Sequence, residues 1–370
     1  MYVSKVKDSS FILPEHHLSR ILTDGDKMMT LPKKICMEYF TISQSRLKKY
    51  NDWLASDWVA STPSLIHAGK KLMLIYNIKW MIDLDLKIED VPADWLITTD
   101  RRYFQQADAV VFHLPNLSQE LECNLSKPQE QIWVSWYLDP CVISSEIGEM
   151  FDLQMGYRQD VDVVYPYYRN DYPELFSQPV SIESKENKTY NFAFNHTNKN
   201  NQLEYINELN KNIEINSYTH LYSNLQLSTS QIHKSKLDIS KKSKFVIEFE
   251  DAIEPDYVTD KFFDPLLAGS VPIYLGAPNI EDFAPGDNCF IDVRQFENPQ
   301  SLARFINACY EDDRLYSKFF EWRNQPLRQS FLKKIEEQKE HPLVCLCRKV
   351  DEMNKKYRIF VKQIVTVKQE

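Results

Sequence analysis

The densest set of side chains able to do chemistry lies between residues 244 and 286. Phe245-Val246-Ile247-Glu248-Phe249 runs into the acids Glu250 and Asp251, and Pro255-Asp256 then precedes Tyr257, Thr259, Asp260 and Lys261. The apolar run reads as a buried strand and residues 257–267 as a helix, with Asp256 placed to be its N-cap. A helix that starts at the C-terminal edge of a parallel sheet offers free N–H groups and the positive end of its dipole, which suits a phosphate. Tyr257 and Lys261 are spaced to share one helix face, and a lysine there meets a diphosphate as a point charge. The acids suit ribose or sugar hydroxyls. Phe262 with Leu266, and Phe263 with Leu267, make the opposite stripe, which packs inward. The plainer alternative is a capped amphipathic helix with a solvated lysine.

Such a site needs a sheet behind it, and the chain supplies regular α/β alternation from residue 70 onward. Near-continuous apolar runs at residues 71–76, 109–113, 132–138 and 161–165 read as buried strands separated by helix-length gaps. That pattern belongs to a parallel sheet covered on both faces. A polar stretch at 177–188 reads as a linker. Strands then follow at 190–194, 213–215, 245–249 and 271–275, with helices at 202–209, 257–267 (kinked at Pro265), 298–313 and 328–340. The first 69 residues are poorly patterned, with one helix-like stretch at 35–54. The expected fold class is therefore α/β, two Rossmann-like lobes facing a cleft, with C-terminal helices. Nucleotide-sugar transferases use this architecture, among others, and fold alone does not give function.

Composition narrows the classes. At 370 residues the chain is long enough for two or more domains, and 43% hydrophobic with 13% aromatic content excludes global disorder. A net charge of −9 argues against a general nucleic-acid binder. The seven cysteines have no framework spacing, so they read as reduced and buried, which favours the cytoplasm. No apolar run reaches membrane-spanning length. With seven glycines there is no dinucleotide fingerprint and no phosphate-binding P-loop. The serine-hydrolase elbow and the zincin motif are absent too.

The order Phe249-Glu250-Asp251-Ala252, then Asp256-Tyr257-Val258-Thr259-Asp260-Lys261-Phe262-Phe263, then Ala268-Gly269-Ser270-Val271-Pro272-Ile273-Tyr274-Leu275-Gly276 closely resembles the signature of the α1,3-fucosyltransferases, glycosyltransferase family 10. Ala107 to His113, Trp133-Val134-Ser135-Trp136-Tyr137-Leu138 and Phe151 to Asp162 resemble further family motifs in consistent order. Ala277-Pro278-Asn279-Ile280 and Phe283-Ala284-Pro285-Gly286 are most similar to the soluble bacterial branch. The resemblance covers about residues 70–350.

The resemblance implies an inverting GT-B enzyme that moves L-fucose from GDP-fucose to O3, or O4, of an N-acetylglucosamine unit in a Lewis-type or N-acetyllactosamine glycan. It implies an acceptor-binding lobe at 70–180, a GDP-fucose-binding lobe at 181–325 and a C-terminal helical segment at 326–370, after an N-terminal extension at 1–69. The family's base is a Glu after the tryptophan-rich strand. Here Asp139 stands there, one methylene shorter, and either serves as base or caps a turn before Pro140; Glu146 is the reserve. The donor-binding set is Glu250, Asp251, Tyr257, Thr259, Asp260, Lys261 and Lys199. Asp251 replaces the family's Asn and Asp260 its Glu, so Asp251 puts a negative charge near the diphosphate. Lys199 either meets phosphate or is a solvated loop lysine.

His113 is either an acceptor contact or a satisfied core histidine. Asp160 and Asp162 have a metal-like spacing, but a sheet edge uses such a pair as well. No metal or other cofactor is required, since lysine and helix N–H groups can balance a leaving diphosphate. The basic run Lys234, Lys236, Lys241, Lys242 and Lys244 reads as solvated surface. The expected setting is a bacterial cytoplasm, with lipopolysaccharide as acceptor context and a peripheral contact with the inner membrane through Lys349, Lys355, Lys356, Arg358 and Lys362. Two rival readings are a non-catalytic glycan- or nucleotide-binding relative and a transferase of another nucleotide sugar.

Overall fold

A computed structural model describes residues 10–11, 42–43, 69–77, 91–116, 126–140, 149–182, 185–191, 202–217 and 236–367. It divides into two compact units: Met1–Gly156 with Asp160–Tyr165 and Glu340–Glu370, and Tyr157–Gln159 with Pro166–Lys339. The expected boundary between 180 and 181 therefore falls late, and the expected C-terminal segment is shared. Residues up to Lys339 stay with the second unit, and those from Glu340 return to the first.

The first unit is built on six parallel strands: β1 (Lys71–Ile75), β2 (Trp95–Thr98), β3 (Ala109–His113), β4 (Ile132–Tyr137), β5 (Leu153–Gly156) and β6 (Val163–Val164). Their order is β2-β1-β3-β4-β5-β6. β3 and β4 are buried along their whole length, which is why they read from sequence as unbroken apolar runs. β2 and β5 carry no such run and are absent from the sequence-based expectation. The expected strand at 161–165 shrinks to two residues.

The second unit repeats the pattern with β7 (Glu186–Asn191), β8 (Ile215–Ser217), β9 (Ser243–Phe249), β10 (Val271–Leu275) and β11 (Ile291–Asp292), in the order β8-β7-β9-β10-β11. Helices of this unit among the described residues include α1 (Tyr172–Phe176), α2 (Gln202–Asn210), α3 (Asp260–Ala268), α4 (Pro299–Glu311), α5 (Asp313–Ser317) and α6 (Gln329–Glu337). Two apolar clusters show how the sheet is covered. One joins Phe245, Ile247 and Ile273 to Leu209 of α2 and Leu302 and Ile306 of α4. The other joins Phe262, Phe263 and Leu266 of α3 to Tyr274 and to Phe331 of α6. Sheets of both units reverse strand order between their first and third strands, and α/β sheets hold ligands beyond the C-terminal ends at that reversal. The polar linker expected at 177–188 ends inside β7, which begins at Glu186.

A last helix, α7 (Pro342–Val367), belongs to the first unit. Leu343, Leu346, Cys347 and Val350 enter the same core as Met73, Val134, Trp136 and Leu153. Lys71 on β1 ties the helix down, donating to Asp351 (2.6 Å) and to Asp94 (2.9 Å). None of the helices among the described residues is long and apolar enough to cross a membrane. The helix expected at 35–54 lies outside the described residues except for Ile42–Ser43, which pairs antiparallel with Ser10–Phe11.

The basic run before β9 is not solvated surface throughout. Lys236 and Lys244 are buried at 4% and 3% exposure. Lys236 lies 3.0 Å from Glu248 and 3.4 Å from Asp264, and Lys244 donates to Asp313 (2.7 Å). A buried cation needs such partners, and here they come from β9, α3 and α5.

Candidate functional site

β9 ends at Phe249, and the chain passes through Glu250 and Asp251 into the loop that leads to α3. The helix starts at Asp260, not at Tyr257, and its N-cap is Thr259, whose hydroxyl accepts from the Lys261 N–H at 3.2 Å. Asp256, the cap expected from sequence, has other work. It sits at φ 66°, in the left-handed region that Asp tolerates better than most residues. Its carboxylate accepts from the Asn279 amide (2.9 Å) and from the Gln159 N–H (3.1 Å), and its own N–H donates to Asn279 Oδ1 (3.0 Å). A reciprocal pair with Asn279 thus fixes the turn. α3 stops at Gly269, and Arg323 and Ser270 donate to carbonyls of its last turn.

The donor-site candidates separate by exposure. Glu250, Tyr257 and Thr259 are buried, at 0%, 2% and 5%. Tyr257 lies before the helix, so it does not share a helical face with Lys261. Its ring meets those of Tyr157 and Tyr167 edge-on, with centroids 5.1 Å and 6.2 Å away. The Glu250 carboxylate accepts from the Thr259 N–H (2.8 Å), the Thr259 hydroxyl (2.9 Å) and the Tyr274 hydroxyl (3.2 Å). Burial pushes its carboxyl up to about 7, with Lys261 and the Thr259 bonds pulling the other way. The expectation that Glu250 takes a sugar hydroxyl is therefore corrected: no part of it reaches solvent.

Asp251 and Asp260 are exposed, and the side chain of Lys261 keeps 19% of its surface. Lys261 donates to Asp251 (2.9 Å) and to the Phe249 carbonyl (3.1 Å). One cation, two carboxylates and the first N–H groups of α3 thus gather beyond the C-terminal end of β9, beside the strand reversal. The arrangement can hold an anion at Lys261 and hydroxyls at the acids.

In the first unit, β3 and β4 bring His113 and Asp139 to one sheet edge. His113 ends β3 in register with Trp136, and Asp139 follows β4 by two residues and is exposed. His113 is 4% exposed, with its ring edge-on to Trp136. Asn77 clips its backbone, donating to the His113 carbonyl (2.9 Å) and accepting from its N–H (2.6 Å). Burial lowers its pKa to about 4, so the ring is neutral at neutral pH. His113 is a core residue at the strand reversal rather than a glycan contact. Glu146 and Lys199 lie outside the described residues.

Asp162 accepts from the Gln154 N–H (2.8 Å) and closes the β5–β6 edge. Among the described residues no group of three His, Cys, Asp or Glu side chains could hold a metal ion. Sequence reasoning missed Asn279, Tyr274 and Gln202, which donates to the Glu250 carbonyl at 2.6 Å. Each acts through hydrogen bonds to residues distant in sequence, and no local spacing announces that.

Comparison with known proteins gives a consistent result. Residues 182–367 match the description of the glycosyltransferase family 10 (fucosyltransferase) C-terminal region, and residues 69–168 that of the fucosyltransferase N-terminal region. A mouse protein, 4-galactosyl-N-acetylglucosaminide 3-alpha-L-fucosyltransferase 9, is 32% identical over 237 residues, 61% of this chain and 63% of its own length. A chimpanzee 3-galactosyl-N-acetylglucosaminide 4-alpha-L-fucosyltransferase is 29% identical over 253 residues, 65% of either chain. The chain thus spans somewhat under two thirds of these relatives. A crystal structure of an alpha1,3-fucosyltransferase with GDP-fucose matches with a TM-score of 0.50 at 15% identity, covering 74% of this chain and 92% of that one. A crystal structure of alpha1,3-fucosyltransferase with GDP also scores 0.50, at 14% identity over 75% and 90% of the two chains. At these identities the structural likeness speaks for the fold: two parallel-sheet units of the GT-B type.

Proposed function

The chain belongs to the fucosyltransferases of glycosyltransferase family 10, and from that premise we propose that it transfers L-fucose from GDP-fucose to O3, or O4, of an N-acetylglucosamine unit with inversion at the anomeric carbon. The observation that carries this is the grouping of Lys261, Asp251 and Asp260 with the start of α3. In the proposed reaction Asp139 takes the proton from the acceptor hydroxyl. The oxygen then forms a bond to the anomeric carbon, and the bond from that carbon to the phosphate oxygen breaks with its electron pair leaving on GDP. Lys261 and the α3 N–H groups meet the charge that develops there. The Lewis-type acceptor, the lipopolysaccharide context, the cytoplasmic setting and a peripheral membrane contact are parts of the same proposal, supported by the sequence resemblance alone.

The test is GDP release from GDP-fucose by the full chain, with and without N-acetyllactosamine, and with UDP-galactose in parallel. Acceptor-dependent GDP release is expected. GDP binding without release for any N-acetylglucosamine acceptor favours a non-catalytic relative, and UDP release in place of GDP overturns the donor assignment.

Asp251 makes a distinguishing prediction. Its carboxylate holds Lys261 at 2.9 Å, so an arriving diphosphate must displace one anion while lying beside it. Asp251→Asn is expected to tighten GDP binding by about twofold to fivefold, the range of an exposed ion pair, with the gain shrinking in high salt. Isothermal titration at two salt concentrations checks this. Weaker binding would mean that the Asp251 carboxylate itself contacts the nucleotide.

A further inference from the structure

Glu250 is the least exposed acid among the described residues of the second unit, yet its carboxylate leads back to the exposed end of α3. Its two oxygens take the N–H and the hydroxyl proton of Thr259, at 2.8 and 2.9 Å. Since the hydroxyl donates to Glu250, its lone pairs face the Lys261 N–H, which donates to it at 3.2 Å. A relay therefore runs from Lys261 N–H through Thr259 to Glu250. The Lys261 side chain returns to the same strand end, through the Phe249 carbonyl and Asp251. Both ends of Lys261 are thus referred to one short piece of backbone on either side of Glu250.

That backbone is itself fixed from three directions. The Glu250 N–H donates to the Leu275 carbonyl (2.8 Å), its carbonyl accepts from Gln202 (2.6 Å), and the Tyr274 hydroxyl donates to its carboxylate (3.2 Å). The fit admits only glycine at position 276. A Cβ there would lie 2.4 Å from Glu250 Cγ and 2.3 Å from the Tyr274 hydroxyl, below any real contact.

We propose that Glu250 is a positioning residue for the donor: through the Thr259 cap it sets the direction of the first N–H groups of α3 and of Lys261 toward the diphosphate. The proposal rests on the donor-site reading of Lys261 given above. A group that works this way acts on ligand binding through geometry, without touching the ligand, and its loss misaims donors that are still present.

The test uses the full-length chain carrying Glu250→Gln, Thr259→Val or Thr259→Ser, with GDP affinity by calorimetry and kcat and KM for GDP-fucose measured beside melting temperature. Glu250→Gln keeps the shape but cannot accept both Thr259 protons as a carboxylate does. It is expected to weaken GDP binding and raise KM about tenfold, the weight of one hydrogen bond to a charged group, with a smaller change in kcat. Thr259→Val should do the same and Thr259→Ser should stay near wild type. The double variant Glu250→Gln with Thr259→Val should be no worse than either single change, because both break one relay. A lower melting temperature with unchanged GDP affinity in Glu250→Gln and Thr259→Val would make the role purely structural and overturn the proposal. If Glu250→Gln does not fold, Thr259→Val against Thr259→Ser decides it alone. A wild-type chain that binds no GDP sinks the donor-site reading and the positioning role together, whereas wild-type binding with unaffected variants sinks only the latter.

Discussion

Replacing Asp139 with Asn is expected to lower acceptor-dependent GDP release by about 10²- to 10⁴-fold, the usual weight of a positioned general base. The amide keeps the shape and the neighbours but cannot take a proton from the attacking hydroxyl. GDP affinity should not follow, because in the proposed reaction Asp139 acts on the acceptor hydroxyl while the donor candidates hold the diphosphate. Single-turnover rates and GDP titration of the same protein separate the two effects. Asp139 is exposed and follows a strand that is buried at every position, and a melting curve of the variant beside wild type separates any structural effect from the chemical one. Under the proposed mechanism, Asp139→Glu lengthens the reach of the base by one methylene and should keep or raise activity. Full activity in Asp139→Asn would remove the residue from the mechanism and direct attention to Glu146.

The second large effect concerns stability. Lys236→Met is expected to cost about 3–5 kcal/mol, as removal of one partner from a buried charge pair does. Lys236, Glu248 and Asp264 are exposed by only 4%, 2% and 1%. Methionine fills the space but leaves Glu248 and Asp264 buried without the Lys236 ammonium that lies beside both. For a unit of this size the loss corresponds to a fall in melting temperature of roughly 10 °C or more. Lys241→Met, on a side chain with 63% exposure in the same run, should change little. Adding Glu248→Gln and Asp264→Asn to Lys236→Met should recover much of the loss. A Lys236→Met chain that melts like wild type would show that the lysine does not hold the acids.

Burial, opposed by Lys236, pushes the Glu248 carboxyl from 4.5 up to about 8. The folded state therefore keeps a proton that the unfolded chain releases. Stabilisation from this group is complete below pH 4.5 and declines as pH rises toward 8, by up to about 1.4 kcal/mol per pH unit. Lys236→Met removes the opposing charge and should extend that decline to higher pH without exceeding this slope.

What the sequence made legible follows from where each element buries its surface. β3, β9 and β10 lie in sheet interiors, so their apolar runs could be read directly. β2 has only its first residue buried, and β7 is made of Glu186-Asn187-Lys188-Thr189-Tyr190-Asn191, largely polar, so neither carries the pattern of a central strand. The start of α3 was misplaced because Asp256 and Thr259 are both good caps. The choice between them is made by Glu250 just past β9 and Asn279 from beyond β10, partners that no local window contains. The same holds for Lys236, which looked like surface because its acids arrive from a strand and a helix far along the chain. Of the donor candidates read from the motif, Asp251 and Asp260 are exposed and Lys261 is partly so. Burial then showed that Glu250, Tyr257 and His113 support structure from within.

The return of α7 to the first sheet also bears on how the protein is made. A ribosome delivers β1 to β6 first, yet part of the apolar surface they must bury is supplied by Leu343, Leu346, Cys347 and Val350, which are translated after the whole second unit. The unit that leaves the ribosome first is therefore the last that can complete its core. Until then its sheet presents an uncovered patch that chaperones can hold and that neighbouring nascent chains can misuse.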